Sequence, residues 1–351
     1  MRYLFVVAAL VLVLPLMACG GSDSESGSES SAGSGSAGSE SSDSLPVVRF
    51  QGLSDGMSAI SLKVIELQGF DKKNGFKGEF QYIPADSSTQ NFLLGKSDFD
   101  LDAGPPDLAV AASKDYDVVS FTAAAKNHVV VVAPNDSPYQ NMEDLKGKTI
   151  GWFGSDSTAA LTIQMLLGEK GIDFFNDYKF AQAAPSALVP LLKSGQVDAI
   201  VTFQPWASWA NSQVEGGVRT VFDPNAAWQE NHPDGTIWTT IGAAHRKWIE
   251  QNPDLVAKAE KAWCDAAEYM NANMKEIVQE PEVQELLDPV KPETGLNTMA
   301  EYVQDNQMFQ CGWTEAQTKD VNAFLDQIAD QGKLFKQNPG DLFAPLEELT
   351  G

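Results

Sequence analysis

The chain has 351 residues, with 48 acidic against 24 basic side chains and a formal net charge of −24 at pH 7. This acidic excess, with no basic cluster, excludes the usual nucleic-acid-binding surface and disfavours contact with anionic lipid. Because the acidic residues are spread along the chain, we interpret them as favouring solubility and not as marking a site. The roughly 305 residues that follow the N-terminal segments are enough for a large core, which favours two lobes.

The N-terminus has the pattern of an export signal. Arg2 precedes an apolar stretch from Leu4 to Leu14, which is shorter than the roughly 20 residues of a membrane span. The following Leu16-Met17-Ala18-Cys19 resembles the lipobox of bacterial lipoproteins, which implies that residues 1–18 are a signal peptide and that Cys19 is lipidated. The alternative is an uncleaved anchor with an incidental cysteine. Both place the remaining chain outside the cytoplasm.

Residues 19–44 are predicted to be a tether. From Gly20 to Ser44 only Gly, Ser, Ala, Asp and Glu occur, a composition that predicts disorder. A flexible segment of this length spans about 25–30 Å. We therefore expect a monomer anchored by lipid to the cell membrane, on the periplasmic or outer surface.

The globular part alternates between strand-like and helix-like segments, which predicts an α/β fold with mostly parallel sheets flanked by helices. Val47 to Phe50 is a predicted strand, Met57 to Gln68 a helix, and Phe80 to Ile83 a second strand. Beyond Trp248 the chain is predicted to be mainly helical.

One unit occurs twice, one hundred residues apart. Gly95-x-x-Asp98 leads into a predicted strand from Phe99 to Ala103, and Gly195-x-x-Asp198 leads into another from Ala199 to Phe203. Each glycine follows an apolar helix, at a position that favours positive φ. The repetition predicts two lobes built alike.

The β-branched run from His128 to Pro134 is long for a strand within a single lobe. We therefore expect a strand that passes between the lobes. Residues 218–222 are predicted to be the return strand. The expected division is lobe I at 45–132 and 223–351, including the C-terminal helices, and lobe II at 133–222.

Several motifs, in this order, resemble the nitrate/sulfonate/taurine group of extracytoplasmic solute-binding proteins of ABC importers: Gly75-Phe76, Gly95-x-x-Asp98, Gly104-Pro105-Pro106, Asp144-Leu145-Lys146-Gly147-Lys148, Gly195-x-x-Asp198 and Asn252-Pro253-Asp254. The resemblance covers residues 47 to about 270. It implies the type II periplasmic-binding-protein fold, two lobes joined by two crossover strands. It also implies capture of a small solute between the lobes and delivery to a permease with its ATPase. The hinges are expected near Ala133 and Phe222.

In open α/β sheets, ligands bind where loops follow the carboxyl ends of strands. The candidate ligand-binding residues in such loops are Ser54, Asp55, Pro105, Asp107, Ser155, Asp156, Ser157, Thr158, Gln204 and Trp206. The hydroxyls at Ser155–Thr158 suit an anionic group at a helix start, or serve only as an N-cap.

The charges in these loops favour a ligand with a cationic end. Asp156 would repel a plain anion, and the arginines after the signal, Arg49, Arg219 and Arg246, lie outside the loops. The expected solute is a small organic zwitterion or anion of the taurine or sulfonate type. A taurine-like zwitterion fits, with its sulfonate on Ser155–Thr158 and its ammonium facing Asp55 or Asp107. The alternative is a heteroaromatic vitamin or precursor, such as a pyrimidine or a riboflavin-like compound, stacked on a tryptophan such as Trp206.

Catalytic signals are weak. The three histidines have no metal-ligand spacing, no Gly-x-Ser-x-Gly motif occurs, and Gly147-Lys148-Thr149 lacks the first glycine of a phosphate loop. We therefore expect a binder without cofactor or metal. Two alternatives remain: an enzyme resembling the pyrimidine synthase of the same general fold, and a surface adhesion module.

Cys264 and Cys311 are a candidate disulfide, since an even pair in an oxidising compartment favours pairing. Two buried free thiols are the alternative.

Overall fold

The structure, a computed structural model, describes residues 45–84, 87–154, 157–287, 293–330 and 335–350. The predicted signal peptide, Cys19 and the tether lie outside these residues, as do Ser155 and Asp156. Among the described helices, none has the length and apolar character needed to cross a bilayer. The elements in chain order are β1 (Val47–Leu53), α1 (Met57–Gln68), α2 (Phe70–Lys73), β2 (Lys77–Ile83), α3 (Ser88–Leu93), β3 (Phe99–Asp100), α4 (Pro105–Ala112), β4 (Val118–Lys126), β5 (Val129–Pro134), β6 (Thr149–Trp152), α5 (Thr158–Glu169), β7 (Lys179–Gln182), α6 (Pro185–Lys193), β8 (Ala199–Phe203), α7 (Trp206–Gln213), β9 (Val218–Phe222), α8 (Pro224–Gln229), β10 (Trp238–His245), α9 (Arg246–Gln251), α10 (Pro253–Ile277), α11 (Pro281–Leu286), α12 (Glu293–Asn306), α13 (Glu315–Asp330) and α14 (Leu346–Thr350).

The strands form two five-stranded sheets, in the orders β2-β1-β3-β10-β4 and β7-β6-β8-β5-β9. The predicted α/β class with two sheets and C-terminal helices is confirmed. Each sheet is mixed and mostly parallel, as predicted, since four of its five described strands run in the same direction. Strand β10 in the first sheet and β5 in the second run the opposite way and pair antiparallel with both of their neighbours.

The chain passes from the first sheet to the second at Asn127 and His128, between β4 and β5. The predicted crossover run His128–Pro134 begins in this passage and continues as β5, which pairs with β8 and β9 of the second sheet. The return runs through residues 223–237, which contain α8. The two passages touch, since the Asn127 backbone N–H donates to the Ile237 carbonyl at 2.7 Å. The division into lobes at 133 and 223 stays a prediction.

The C-terminal helices cover the first sheet. The long helix α10 packs against α1, α2 and α12. Its buried Trp263 donates its indole Nε1–H to the carbonyls of Ala123 in β4, at 2.9 Å, and Gln310, at 3.0 Å. The next residue, Cys264, forms a disulfide with Cys311, and their Cα atoms are 5.2 Å apart. The loop after α12 is therefore held to both α10 and the sheet.

The repeated unit has the same hydrogen bonds in both sheets. Asp98 accepts a backbone N–H bond from Arg49 in β1 at 2.9 Å, and Asp198 accepts one from Thr149 in β6 at 2.9 Å. In return, the N–H of each aspartate donates to the carbonyl of the same partner at 2.8 Å. Gly95 and Gly195 have φ of 67° and 70° and end the preceding helices, as predicted. These bonds fix β1 relative to β3 in the first sheet and β6 relative to β8 in the second.

Candidate functional site

A cavity of about 900 Å³ lies between the two sheets. In the first sheet its wall is built from the residues that follow β1 and β3, and in the second from residues at the ends of β6, β7 and β8 and the start of α5. These are carboxyl ends of strands, where α/β folds bind ligands. The volume is in the range of pockets for small organic molecules.

Among the described residues, four aspartates line this cavity: Asp55, Asp100, Asp102 and Asp107. Asp102 is held from two sides, with its Oδ2 accepting from the Ser88 hydroxyl at 2.8 Å and its Oδ1 from the Ser58 hydroxyl at 3.4 Å. The Asp102 backbone N–H donates to Oδ1 of Asp100 at 2.8 Å. We call these four side chains the acidic wall.

Asp107 connects the two halves of the cavity. It lies in the first turn of α4, where its Oδ2 accepts from the Gly104 N–H at 3.2 Å. The same oxygen accepts from the Thr158 hydroxyl, at the start of α5, at 2.7 Å. The two helix starts therefore meet across the cavity through one carboxylate oxygen.

Ser157, beside Thr158, serves its own helix. Its hydroxyl oxygen accepts from the Ala160 N–H at 3.2 Å and its hydroxyl donates to the Gly154 carbonyl at 2.9 Å. Ser157 is therefore the N-cap of α5, a role for which the sequence suggested Ser155 or Asp156, both outside the described residues.

The acidic wall is less acidic than free aspartate. Desolvation in the cavity is the main cause for all four: it raises the pKa of Asp102 to about 6, holds that of Asp100 well above its usual range, and raises those of Asp55 and Asp107. Repulsion from neighbouring carboxylates adds to the rise for Asp100 and Asp102. Two unit charges 4 Å apart interact by about 4 kcal/mol at an effective dielectric constant of 20. A cation that enters the cavity therefore stabilises the ionised form of these carboxyl groups.

His128 lies in the same cavity wall and is only 4% exposed. Desolvation lowers its pKa to about 4, so the imidazole is neutral at pH 7. Its Nδ1 lies 3.2 Å from the Lys126 carbonyl oxygen, which requires the proton on Nδ1. Nε2 is then a hydrogen-bond acceptor.

No lysine or arginine lines the cavity among the described residues. Ser155 and Asp156, outside those residues, carry no positive charge either. Within the part of the chain that the structure describes, no group of His, Cys, Asp and Glu side chains is arranged to hold a metal ion.

Of the predicted site residues, Ser54, Asp55, Asp107, Ser157 and Thr158 line the cavity. Pro105, Gln204 and Trp206 do not. Pro105 is buried at the first position of α4. Gln204 accepts hydrogen bonds from Ser208 N–H and hydroxyl groups through its Oε1, at 3.3 and 2.8 Å.

Trp206, predicted as a ring of the cavity wall, is 2% exposed and packs edge-to-face on Trp209 with ring centroids 5.7 Å apart. Helix α7, which carries both rings, packs on α12. The described tryptophans that do line the cavity are Trp238, near the return passage, and Trp263 in α10.

Sequence reasoning missed Asp100, Asp102 and His128. The strand after Asp98 was expected to continue to Ala103, which would place both aspartates inside a strand. It ends at Asp100, so Asp102 belongs to the loop after the strand. The spacing Asp100-x-Asp102 was the available signal.

Comparison with known proteins places this geometry in a family. The model of the family described as NMT1/THI5 like matches residues 64–277. The chain belongs to the NMT1/THI5-like family. The resemblance inferred from the motifs is confirmed at the level of family and fold.

Solved structures share the fold of this NMT1/THI5-like chain. It is similar to the periplasmic aliphatic sulphonate binding protein SsuA from Escherichia coli, with 18% identity, a TM-score of 0.63, and coverage of 84% of this chain and 95% of that one. It is also similar to the periplasmic nitrate-binding protein NrtA from Synechocystis PCC 6803, with 16% identity, a TM-score of 0.58 and 82% coverage of each chain.

Among curated proteins, the Arginine-binding extracellular protein ArtP of Bacillus subtilis (strain 168) is 28% identical over 205 residues, which are 57% of this chain and 72% of that protein.

Proposed function

We propose that this chain is the solute-binding component of an ABC import system, which holds a small organic solute between its two sheets and delivers it to a permease and ATPase. The observation that carries the proposal is a cavity of about 900 Å³ whose wall comes from the strand ends of both sheets. The Asp107–Thr158 hydrogen bond across it is a contact that closure of the two halves would make. Membership of the family and the binding functions named for its relatives support the same function.

The proposed mechanism has two states. Solute enters when the halves are apart, contacts from both sheets then favour closure, and the closed form docks on the permease. The passages at residues 127–128 and 223–237 are the segments about which the halves would turn. In this proposal these two segments replace Ala133 and Phe222 as the hinges.

We further propose that Cys19 carries a lipid that anchors the protein outside the cytoplasm. The lipobox-like sequence is the support, together with relatives named as periplasmic and extracellular. Mass spectrometry of the mature N-terminus tests this, since a chain that begins before Cys19 or carries no lipid there would contradict it.

The cationic end of the ligand has more support than the anionic end. Asp55 and Asp107 are both available to an ammonium group, as expected for a taurine-like solute. A sulfonate at Ser155–Thr158 would instead approach Asp107, whose Oδ2 lies 2.7 Å from the Thr158 hydroxyl oxygen. The relative named as arginine-binding supports a nitrogen-centred cation.

A heteroaromatic vitamin or precursor is the second candidate solute. The rings of Phe153, Phe203 and Trp238 line the cavity and offer apolar faces for stacking, although Trp206 does not.

The NMT1/THI5-like family also includes a synthase. The experiment that tests solute binding must therefore also test whether the protein converts the solute. A thermal-shift screen with sulfonates, nitrate, amino acids, polyamines and vitamin precursors should find one class that raises the Tm by several degrees, by mass action. The bound solute should be recovered chemically unchanged. Conversion to a product, or no stabilisation by any class, would overturn the proposal.

Replacing Gly104 by alanine should weaken solute binding by about tenfold with little loss of stability. The new Cβ would lie 3.0 Å from Oδ2 of Asp107 and 3.3 Å from both Cγ2 of Thr158 and the carbonyl oxygen of Thr239. These neighbours belong to α4, α5 and β10, so the methyl group separates elements that must approach one another around the solute. Calorimetric titration measures the affinity.

Gly195→Ala is the matched control for this change. Gly195 has φ of 70° and nothing within 4 Å of a new Cβ, so this variant should lose about 1 kcal/mol of stability and keep its affinity. Equal affinities of Gly104→Ala and the unaltered protein would show that the elements do not close at this point.

A further inference from the structure

We propose that the solute is an organic cation of the amine or guanidine class with a net positive charge, held between the acidic wall and the neutral imidazole of His128. This rests on the proposed binding function and names the substrate class of that same cavity. It departs from the zwitterion that the sequence favoured.

The balance of charge is the first support. Asp55, Asp100, Asp102 and Asp107 face a cavity in which no described lysine or arginine compensates them. A sulfonate or nitrate would add to the repulsion that already raises the pKa of Asp102, whereas a cation would relieve it. A net-neutral zwitterion would bring one negative group into the same wall.

Unused acceptors are the second support. Among the described residues, the Asp55 carboxylate and Oδ1 of Asp107 accept no hydrogen bond from another residue. Ammonium and guanidinium groups carry only donors, which match these acceptors, and hydrogen bonds between ionised partners are the stronger kind.

His128 is an independent observation. It lies outside the acidic wall on the passage between the sheets, is buried, and is fixed by two bonds: Nδ1 to the Lys126 carbonyl and its backbone N–H to the Thr239 hydroxyl at 3.2 Å. Its Nε2 has no hydrogen-bond partner within the described residues, so an acceptor in the cavity wall is free to take a hydrogen bond from the solute. A sulfonate, nitrate or carboxylate oxygen cannot donate, but an N–H of a guanidine or amine can.

The aromatic rings of the cavity are compatible with the same class. Phe203 stands edge-on to His128 with centroids 6.4 Å apart, and Phe153 stands edge-on to Phe203 at 5.5 Å. Faces of such rings attract cations.

Calorimetric titration at pH 7.5 with four probes tests the class: agmatine, L-arginine, taurine and propanesulfonate. Agmatine or L-arginine should bind at least 100-fold more tightly than taurine and propanesulfonate. Tighter binding of taurine or propanesulfonate would overturn the inference and leave the binding function intact. If neither cation binds and the thermal-shift screen finds a solute without a net positive charge, the inference is overturned and the binding function is not.

Variants locate the cation within the cavity. Asp102→Asn should weaken cation binding by at least tenfold, whereas Asp136→Asn, which removes the same charge from an exposed position, should leave the affinity unchanged. His128→Leu should weaken binding more than His128→Gln, which keeps an acceptor. Circular dichroism and the Tm verify that each variant folds. Unchanged affinity in folded Asp102→Asn and His128→Leu would show that the cation binds elsewhere.

Discussion

Replacing both Cys264 and Cys311 by serine should lower the free energy of unfolding by about 3–4 kcal/mol. The disulfide closes a loop with a sequence separation of 47, between α10 and the segment after α12. Without it the unfolded chain gains the freedom that the cross-link removes. Urea denaturation measures the loss, and the Tm should fall by about 5–10 °C.

Reduction of the unaltered protein is the matched control, because it breaks the bond without changing a side chain. Serine should fit both positions, since Cys311 is exposed and Cys264 is partly exposed. The hydrogen bonds of Trp263 to Ala123 and Gln310 do not involve either sulfur and should persist. A loss below 1 kcal/mol in both experiments would mean that these contacts, and not the disulfide, hold the loop to the sheet.

The affinity for an organic cation should fall about tenfold for each pH unit below about 6. Burial raises the pKa of Asp102 to about 6 in the empty cavity, so this carboxyl group is protonated at lower pH. A bound cation favours the ionised form, and binding must therefore release a proton. Asp55, Asp100 and Asp107 act in the same direction, while His128, with a pKa of about 4, stays neutral from pH 5 to 8.

The stability of the empty protein should change in the opposite sense. Between the unfolded pKa of 3.8 and the folded value of about 6, the native state binds more protons at Asp102 than the unfolded state does. Stability from this group is therefore greatest below about pH 4 and lost as the pH rises through 6, by about 3 kcal/mol in total.

Titrations with agmatine from pH 5 to 8, in buffers of different ionisation enthalpy, measure both the affinity and the number of protons released. Agmatine keeps its charge over this range, so the change reports on the protein. Asp102→Asn should flatten the dependence. A constant affinity in the unaltered protein would show that the acidic wall does not contact the cation.

Helix bounds and helix ends could be predicted from the sequence, because they depend on residues that are close together in the chain. Gly95 and Gly195 follow directly after helices and have positive φ, as their position after an apolar helix predicts. The predicted helix Met57–Gln68 has the same bounds in the structure. The valine run after His128 predicts a strand, but it does not show which sheet the strand joins, because β-branched residues are favoured in all sheets. Its hydrogen-bonded partners, β8 and β9, lie 65 or more residues away in the chain.

The site was only partly predictable for the same reason. Asp55 lies in the loop after β1 and Asp107 in the first turn of the helix after β3, and this placement after a strand identified both. Trp206 also follows a strand, yet α12 comes from the far end of the chain to cover its helix. The Asp100-x-Asp102 spacing was visible in the sequence, but it does not identify a site residue as long as β3 is expected to continue past Asp100.

The acidic wall has a kinetic consequence. A carboxylate-lined cavity in a chain of strongly negative net charge attracts cations before contact and slows the approach of anions. The association rate constant for a cationic solute should therefore decrease steeply as ionic strength rises, while its dissociation rate changes little. Selection between solutes of opposite charge would then begin during diffusion, ahead of any contact with Asp102 or His128.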